Sequence, residues 1–514
     1  MSKTLTISKT RYRLQQFKKV LVQIFSSKRG AFGIIILVAA AIIALAAPLI
    51  APYDPVNDKD LAGRFCAPIW YPKIFGGAYS ENMELVSDPL FDSPKELQYW
   101  HASPSGSVQV SWVNFTGYNK DLNGRLYNKP GCILLNLTEP SDQNLTAVYS
   151  LSFNYSYTAP PKRFRLSFYY LAKAVENSPV NVTVRLYQPG NKPPLVILDS
   201  YKESGRLIAH IDETSKSWTL LKVDSQAGGA WREEYLGENV QTPARYMFPR
   251  SGVYKIEVEI KFTPNANLEP GRVMFLIDNF RIKLYGSVFG LLGTDQEGRD
   301  VFSQLIWGSR LSLFVGVLCA IVSVALGLIF GLLAGYIGGA VDEIIMRMTD
   351  VLLTIPGLPL LIVLMAVLGA SLFNLIILIG FLGWMGFART VRSMVLSLKE
   401  RPFVEAARAA GATTGYILVR HIIPNVMTLV YVALATSVPG AILAEAALSF
   451  LGLYDPNVMT WGRMLHDVET SPVGVKMWWW AVPPGMGIAI VSLSFILMGY
   501  ALDEILNPRL RERR

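Results

Sequence analysis

Side chains able to do covalent or ionic chemistry are few and scattered in this chain. Its four histidines (His101, His210, His421, His466) and three cysteines (Cys66, Cys132, Cys319) show no metal-ligand spacing, so no bound metal is expected. No Gly-x-x-x-x-Gly-Lys-Ser/Thr loop occurs, so the chain lacks that means of cradling ATP phosphates. Four constellations remain. Cys66 and Cys132 are a candidate disulfide in an oxidising compartment. Asn114, Asn136, Asn144, Asn154 and Asn181 each open an Asn-X-Ser/Thr sequon. These are either glycosylation sites or by-products of a Thr/Ser-rich composition. Glu445 is the one acidic residue inside a long apolar run, "AILAEAALSFLGL". An ionisable group so placed is either a pore or gate residue on a watery path, or is solvated at the interface or paired with a neighbouring helix. Finally, "EAARAAGATTGYILVRHIIPN" (405–425) is rich in small residues and suited to docking rather than to bond chemistry.

The elements that carry these residues follow from the distribution of charge. Of the 514 residues, 51% are hydrophobic, and they are concentrated in blocks. Residues 30–53, 311–341, 351–388, 422–444 and 477–502 contain no Asp, Glu, Lys or Arg. About 20 apolar residues cross a bilayer as a helix. The 351–388 block is long enough for two helices, with "LGASLFN" (368–374) as the turn. Six spans are predicted, at 31–50, 311–336, 351–369, 373–389, 426–450 and 479–502. The first has a longer apolar run and a longer preceding arm than a secretory signal, so it reads as an uncleaved anchor. Pro356, Pro359, Pro439, Pro483 and Pro484 are candidate kinks, and "GLIFGLLAGYIGG" predicts close helix packing.

Basic residues set the orientation. Lys3, Lys9, Arg11, Arg13, Lys18, Lys19, Lys28 and Arg29 fill residues 1–30 without an acidic partner. Arg392, Lys399, Arg401, Arg408 and Arg420 fall in the 390–424 loop, and Arg509, Arg511, Arg513 and Arg514 in the tail. Six spans put all three segments on the cytoplasmic side, so the net charge of +9 is mainly a topology signal. No basic helix or aromatic stacking motif points to nucleic acid. Residues 51–290 then lie outside. There "SLSFNYSYTAPP", "RFRLSFYYLAKA", "VNVTVRLYQPG" and "GVYKIEVEIKFTP" alternate apolar and polar residues between Pro/Gly/Asn turns. That pattern predicts an inserted all-β domain, a β-sandwich or jelly roll. The segment "VMFLIDNFRIKLYG" (273–286) resembles the last strand of jelly-roll sugar-binding modules.

In the cytoplasmic loop, Glu405, Ala406 and Ala407 open a helix of small residues that lets a partner approach its backbone. Gly411 turns the chain, a second helix covers Thr414–His421, and Pro424 stops it. A partnerless reading is an amphipathic hairpin lying on the lipid surface. Glu-Ala-Ala, a Gly six positions after the Glu and a hydrophobic-Pro pair ending at Pro424 resemble the EAA loop of ABC-importer permeases. "RHIIPN", with His421, is similar to the dipeptide/oligopeptide branch. "APLIAPYDP", "LGTDQEGRDVFSQLIWGSRLSL", "GGAVDEIIMRMTDVLLTIPGLPLLI", "LSFLGLYDPNVMTWGRML" and "LNPRLRER" are similar to that branch's C-type permease subunit. The likeness covers the chain except about 60–285, and the insert departs from the family pattern.

The resemblance implies an all-α membrane domain of type I importer fold. It divides the chain into a basic arm (1–30), a first helix (31–50), the insert (51–290), a permease core (291–503) whose coupling loop is 400–425, and a tail (504–514). It implies a second, B-type permease, two ATPase subunits that bind ATP and Mg, and an external solute-binding protein. It also implies that Glu405, Ala406, Ala407, Gly411, His421 and Pro424 couple to those ATPases, and that the chain itself is no enzyme and holds no cofactor. Peptides are the expected solute, with oligosaccharides or nickel as alternatives. A membrane-anchored glycan receptor would need only one span, and a secondary transporter would show buried charges or internal repeats.

Overall fold

The computed structural model describes residues 25–103, 108–114, 131–137, 145–173, 180–190, 192–200, 217–226, 236, 240–262 and 274–506. Asn144, the basic residues before Phe25 and the four arginines of the tail lie outside them. The chain divides into two compact units, one formed by its flanks through Val56 and from Val301, the other by Asn57–Asp300.

The flanking unit is helical: α1 (Lys28–Leu45), α2 (Val301–Ile337), α3 (Gly339–Thr354), α4 (Gly357–Leu368), α5 (Leu372–Leu382), α6 (Trp384–Lys399), α7 (Pro402–Ala409), α8 (Thr414–Ile417), α9 (Ile423–Phe450), α10 (Trp461–Thr470) and α11 (Trp478–Leu506). Among the described residues, five helices are long and apolar enough to cross a membrane, and α3 with α4 form a further apolar pair bent by 90°. The third span expected at 351–369 is thus interrupted at the candidate kink Pro356, its first residues belonging to α3 and the rest to α4. Pro356 has no N–H and excludes the helical region for the residue before it. Ile355 is accordingly extended (φ −78°, ψ 128°) and ends α3. The turn expected at 368–374 is present. Gly369 takes φ +88°, the Ser371 side chain accepts from the Asn374 amide at 3.2 Å, and Asn374 Nδ2 donates to the carbonyls of Leu368 and Gly369. Helices α9 and α11 run on through Pro439 and Pro483–Pro484.

The glycine-rich run is where α2 meets α6. Added Cβ atoms on Gly327, Gly331 and Gly335 would stand 2.9 Å from Trp384 O, 2.6 Å from Val391 Cβ and 2.8 Å from Val395 Cβ. Glycines four residues apart share one helix face, so two backbones lie in contact along that face. Arg392 on α6 also grips Asp342 on α3 through Nε and Nη2, at 2.5 and 2.6 Å.

The other unit has two antiparallel sheets over one apolar core. Its strands are β1 (Met83–Glu84), β2 (Trp100–Ser103), β3 (Val108–Val113), β4 (Cys132–Leu137), β5 (Leu145–Tyr155), β6 (Arg163–Lys173), β7 (Val180–Tyr187), β8 (Leu195–Asp199), β9 (Thr219–Asp224), β10 (Gly252–Phe262) and β11 (Met274–Tyr285). One sheet runs β3-β4-β11-β6-β9 with β1 beside β11, the other β2-β5-β10-β7-β8. The four alternating segments read from sequence are β5, β6, β7 and β10, and the segment at 273–286 is β11. Their inward residues, such as Phe164, Leu166, Tyr254, Ile256 and Phe275, are buried between the sheets.

Strand β6 is buried on its other face too. There Arg163 meets Asp224 (Nη2–Oδ2 2.5 Å) and Asp60, while Arg165 meets Asp60 (2.6 Å) and Asp224 (3.2 Å). Both guanidinium groups lie over the Tyr285 ring, at 5.2 and 5.5 Å. Burial alone would discourage ionisation of Asp224, but Arg163 and Arg165 outweigh it and hold the carboxyl well below the usual carboxylate range. Asp295 organises a turn ahead of α2. Its Oδ1 accepts from the amides of Glu297 and Arg299 and its Oδ2 pairs with Arg299 at 2.6 Å, closing a turn.

Candidate functional site

Helix α7 starts with Pro402 in its first turn, behind an extended Arg401 (ψ 142°). Proline is suited to that place because its missing N–H has no partner to lose. Glu405 lies in the first turn and Arg408 in the last, each complementing the helix dipole. The end is a Schellman motif around Gly411. The Gly411 amide donates to Arg408 O (3.0 Å), the Ala412 amide to Ala407 O (3.1 Å), and Gly411 takes φ +79°. Thr413 then caps α8, its hydroxyl accepting from the Tyr416 amide.

Pro424 does not stop the second helix, as the sequence suggested. A single π-helical turn, Leu418–Ile422, links α8 to α9, and the helix runs continuously from Thr414 to Phe450. The wider turn accommodates the proline's missing donor, and Asn425 Nδ2 donates to His421 O at 2.6 Å.

A row of apolar side chains seats this loop. Val404, Ile417 and Ile422 are buried with Leu332 and Tyr336 of α2 and Val391, Val395 and Leu398 of α6, and Ala407 packs against the same cluster. Lys399 Nζ adds a hydrogen bond to Tyr336 O at 3.0 Å. The opposite face is open: Glu405, Ala406, Arg408, Ala409, Ala410 and Gly411 are exposed, and a Cβ on Gly411 would meet nothing within 4 Å. Half-buried His421 sits between the rings of Phe403 (6.0 Å) and Tyr416 (5.9 Å). Thus Glu405, Ala406 and Gly411 share the open face, Ala407 belongs to the seat, and Pro424 is exposed along α9. The buried anchors Val404 and Ile422 were missed by sequence reasoning. Their signal was an apolar residue one position before Glu405 and two before Pro424.

The other candidates lie elsewhere. Glu445 is buried inside the helical unit, only 1% exposed, and accepts from Ser449 Oγ at 2.8 Å, so interfacial solvation is excluded as its setting. The cysteine pairing is corrected: both thiols are free. Cys66 Sγ points at the carbonyls of Gly63 (2.9 Å) and Gly286 (3.2 Å), whereas Cys132 is packed with Leu171 and Leu276. Burial pushes the Cys132 thiol up to about 12. Asn114 and Asn154 are exposed and Asn136 and Asn181 half-buried. Asn181 Nδ2 reaches Asp199 at 3.2 Å.

Residues 327–512 match the family described as binding-protein-dependent transport system inner membrane component. Residues 15–68 match the N-terminal transmembrane domain of oligopeptide transport permease C. A dipeptide transport system permease of Bacillus subtilis is 40% identical over 220 residues, covering 43% of this chain and 68% of the relative. An oligopeptide transport system permease of the same organism is 40% identical, covering 43% and 72%. A glutathione transport system permease of Pectobacterium atrosepticum is 37% identical, covering 43% and 73%. Among solved structures, TmCBM61 in complex with β-1,4-galactotriose aligns at 14% identity and TM-score 0.21, covering 39% of this chain and 97% of that one. With its multi-pass helical unit and these relatives, the chain belongs to the family of inner membrane permease components of binding-protein-dependent transport systems.

Proposed function

We propose that this chain is the C-type permease of a peptide importer, and that the loop from Pro402 to Ile422 couples its helices to separate ATPase subunits. The observation that carries the coupling is the two-faced build of the loop. One face is locked by Val404, Ile417 and Ile422 onto α2 and α6, while the other presents small, exposed residues around Glu405 and Gly411. A rigid element seated that way passes a displacement to the helices instead of absorbing it. Two ATPases bind ATP and Mg and supply the energy, a B-type permease completes the path, and an external solute-binding protein delivers the solute.

In this reading the bent α3–α4 pair counts as one span, giving six and a type I importer arrangement. The termini and the coupling loop are cytoplasmic, the 51–290 insert is external, and its two sheets form a jelly roll. Peptides are the solute because the relatives at 40% identity are named dipeptide and oligopeptide permeases.

The test is uptake by the full complex in proteoliposomes, with a labelled tetrapeptide and a labelled oligosaccharide in parallel. ATP-dependent accumulation of the peptide, lost when this chain is omitted, is expected. Accumulation of the oligosaccharide alone would overturn the peptide assignment and leave the permease assignment standing.

A further inference from the structure

The β unit contains a cleft of about 620 Å³ that the transport reading does not use. Its chemistry is one-sided. Arg64, Lys162 and Arg245 line it together with Gln226, Gln241 and Thr242, and no Asp or Glu lines it among the described residues. Two other cations of the unit are matched, Arg185 with Glu259 and Lys255 with Glu257, each at 2.6 Å. Arg64 and Arg245 instead stand exposed, with no ion pair among the described residues. Lys162 Nζ donates to the carbonyls of Arg64 (3.0 Å) and Phe65, which binds its hydrogens without neutralising its charge.

Among the described residues the cleft thus has no anion in its lining. It also has no Trp, Tyr or Phe there among the described residues, so none of these offers an aromatic face on which a neutral sugar ring could stack. Amide and hydroxyl groups beside unmatched guanidinium groups fit a ligand that is both hydroxylated or amidic and negatively charged. The volume falls within the range of about 300–1,000 Å³ usual for small-molecule sites.

We propose that this cleft binds a carboxylate carried on a small polar ligand, with Arg64 and Arg245 pairing the charge and Gln226, Gln241 and Thr242 supplying hydrogen bonds. An acidic oligosaccharide and a peptide terminus present the same chemistry, and the site needs no transport to be occupied.

The experiment is calorimetric titration of the full-length protein in zwitterionic nanodiscs with trigalacturonate, a tripeptide bearing a free C-terminus, and maltotriose. At least one carboxylate probe saturates, and its identity names the source; added salt weakens it, and maltotriose does not bind. Arg64→Gln with Arg245→Gln raises Kd about tenfold or more, the loss expected for charge-assisted hydrogen bonds. Gln226→Glu, which places an anion in the cleft, acts in the same direction and guards against a folding artefact, with circular dichroism unchanged in both variants. Equal binding of maltotriose, no binding of either carboxylate probe, or binding indifferent to both variants overturns the proposal. Peptide uptake measured separately leaves the permease reading untouched by any of these results.

Discussion

Gly331 of α2 lies so close to Val391 of α6 that a Cβ on the glycine would stand 2.6 Å from the valine Cβ. Val391 also belongs to the apolar seat of the Pro402–Ile422 loop. With Gly327 and Gly335 on the same face, this contact fixes the helix pair on which the loop rests, and any displacement of the loop acts on backbones already touching.

Replacing Gly331 with Val should force the pair apart, at an overpacking cost of about 1–3 kcal/mol or more. Gly386→Ala on the same helix pair adds a methyl where nothing lies within 4 Å and should be neutral or slightly stabilising. Melting temperatures of both variants in nanodiscs test this. Equal melting would remove close packing as the reason for the glycine.

Val404 is fully buried in the seat. Val404→Asp places an unpaired carboxylate there, a mechanism that destabilises strongly. The loop should detach while the long helices persist, so trypsin cutting at exposed Arg408 should accelerate several-fold. Unchanged cutting would show that Val404 is no anchor.

The ion network of the β unit makes a pH prediction. Because folding lowers the Asp224 carboxyl, its contribution is complete above about pH 4, the ordinary aspartate value. It is lost as pH falls through the lower folded value. Asp224→Asn leaves Arg163 buried without its bidentate partner and should cost about 3–5 kcal/mol near neutrality. The gap between wild type and variant should then narrow as the pH falls below about 4. A constant gap down to the acid limit would contradict the assignment.

Free Cys66 and Cys132 predict that a reductant changes neither the melting temperature nor the non-reducing gel mobility of the protein. Alkylation should be slow until denaturant is added, because both thiols are buried. A reductant-dependent mobility shift would restore the disulfide.

The sequence announced the elements more reliably than their joints. Alternation at 150–161 and 252–264 marks β5 and β10 because one face of each strand is apolar. The turn at Ser371 was visible because its cap chemistry is local. The break at Ile355–Pro356 was legible as a candidate kink because proline restrains the residue before it, but the 90° bend was not. Pro424 misled in the other direction, because a π turn at Leu418–Ile422 depends on three-dimensional packing that spacing does not encode. The Arg163–Asp224 pair joins residues 61 apart in sequence, and no local pattern reports it.

The coupling role of the loop is tested most directly by ATP hydrolysis of the complete complex with its binding protein and peptide. Gly411 takes φ +79° in open space. An added Cβ therefore meets no neighbour, and Gly411→Val strains the Schellman turn by about 1–2 kcal/mol. The account predicts that this variant, and Glu405→Arg beside it, retain their helices and membrane insertion yet lose most of the stimulation by loaded binding protein. Full stimulation by both variants in an intact complex would contradict it and place the interface elsewhere.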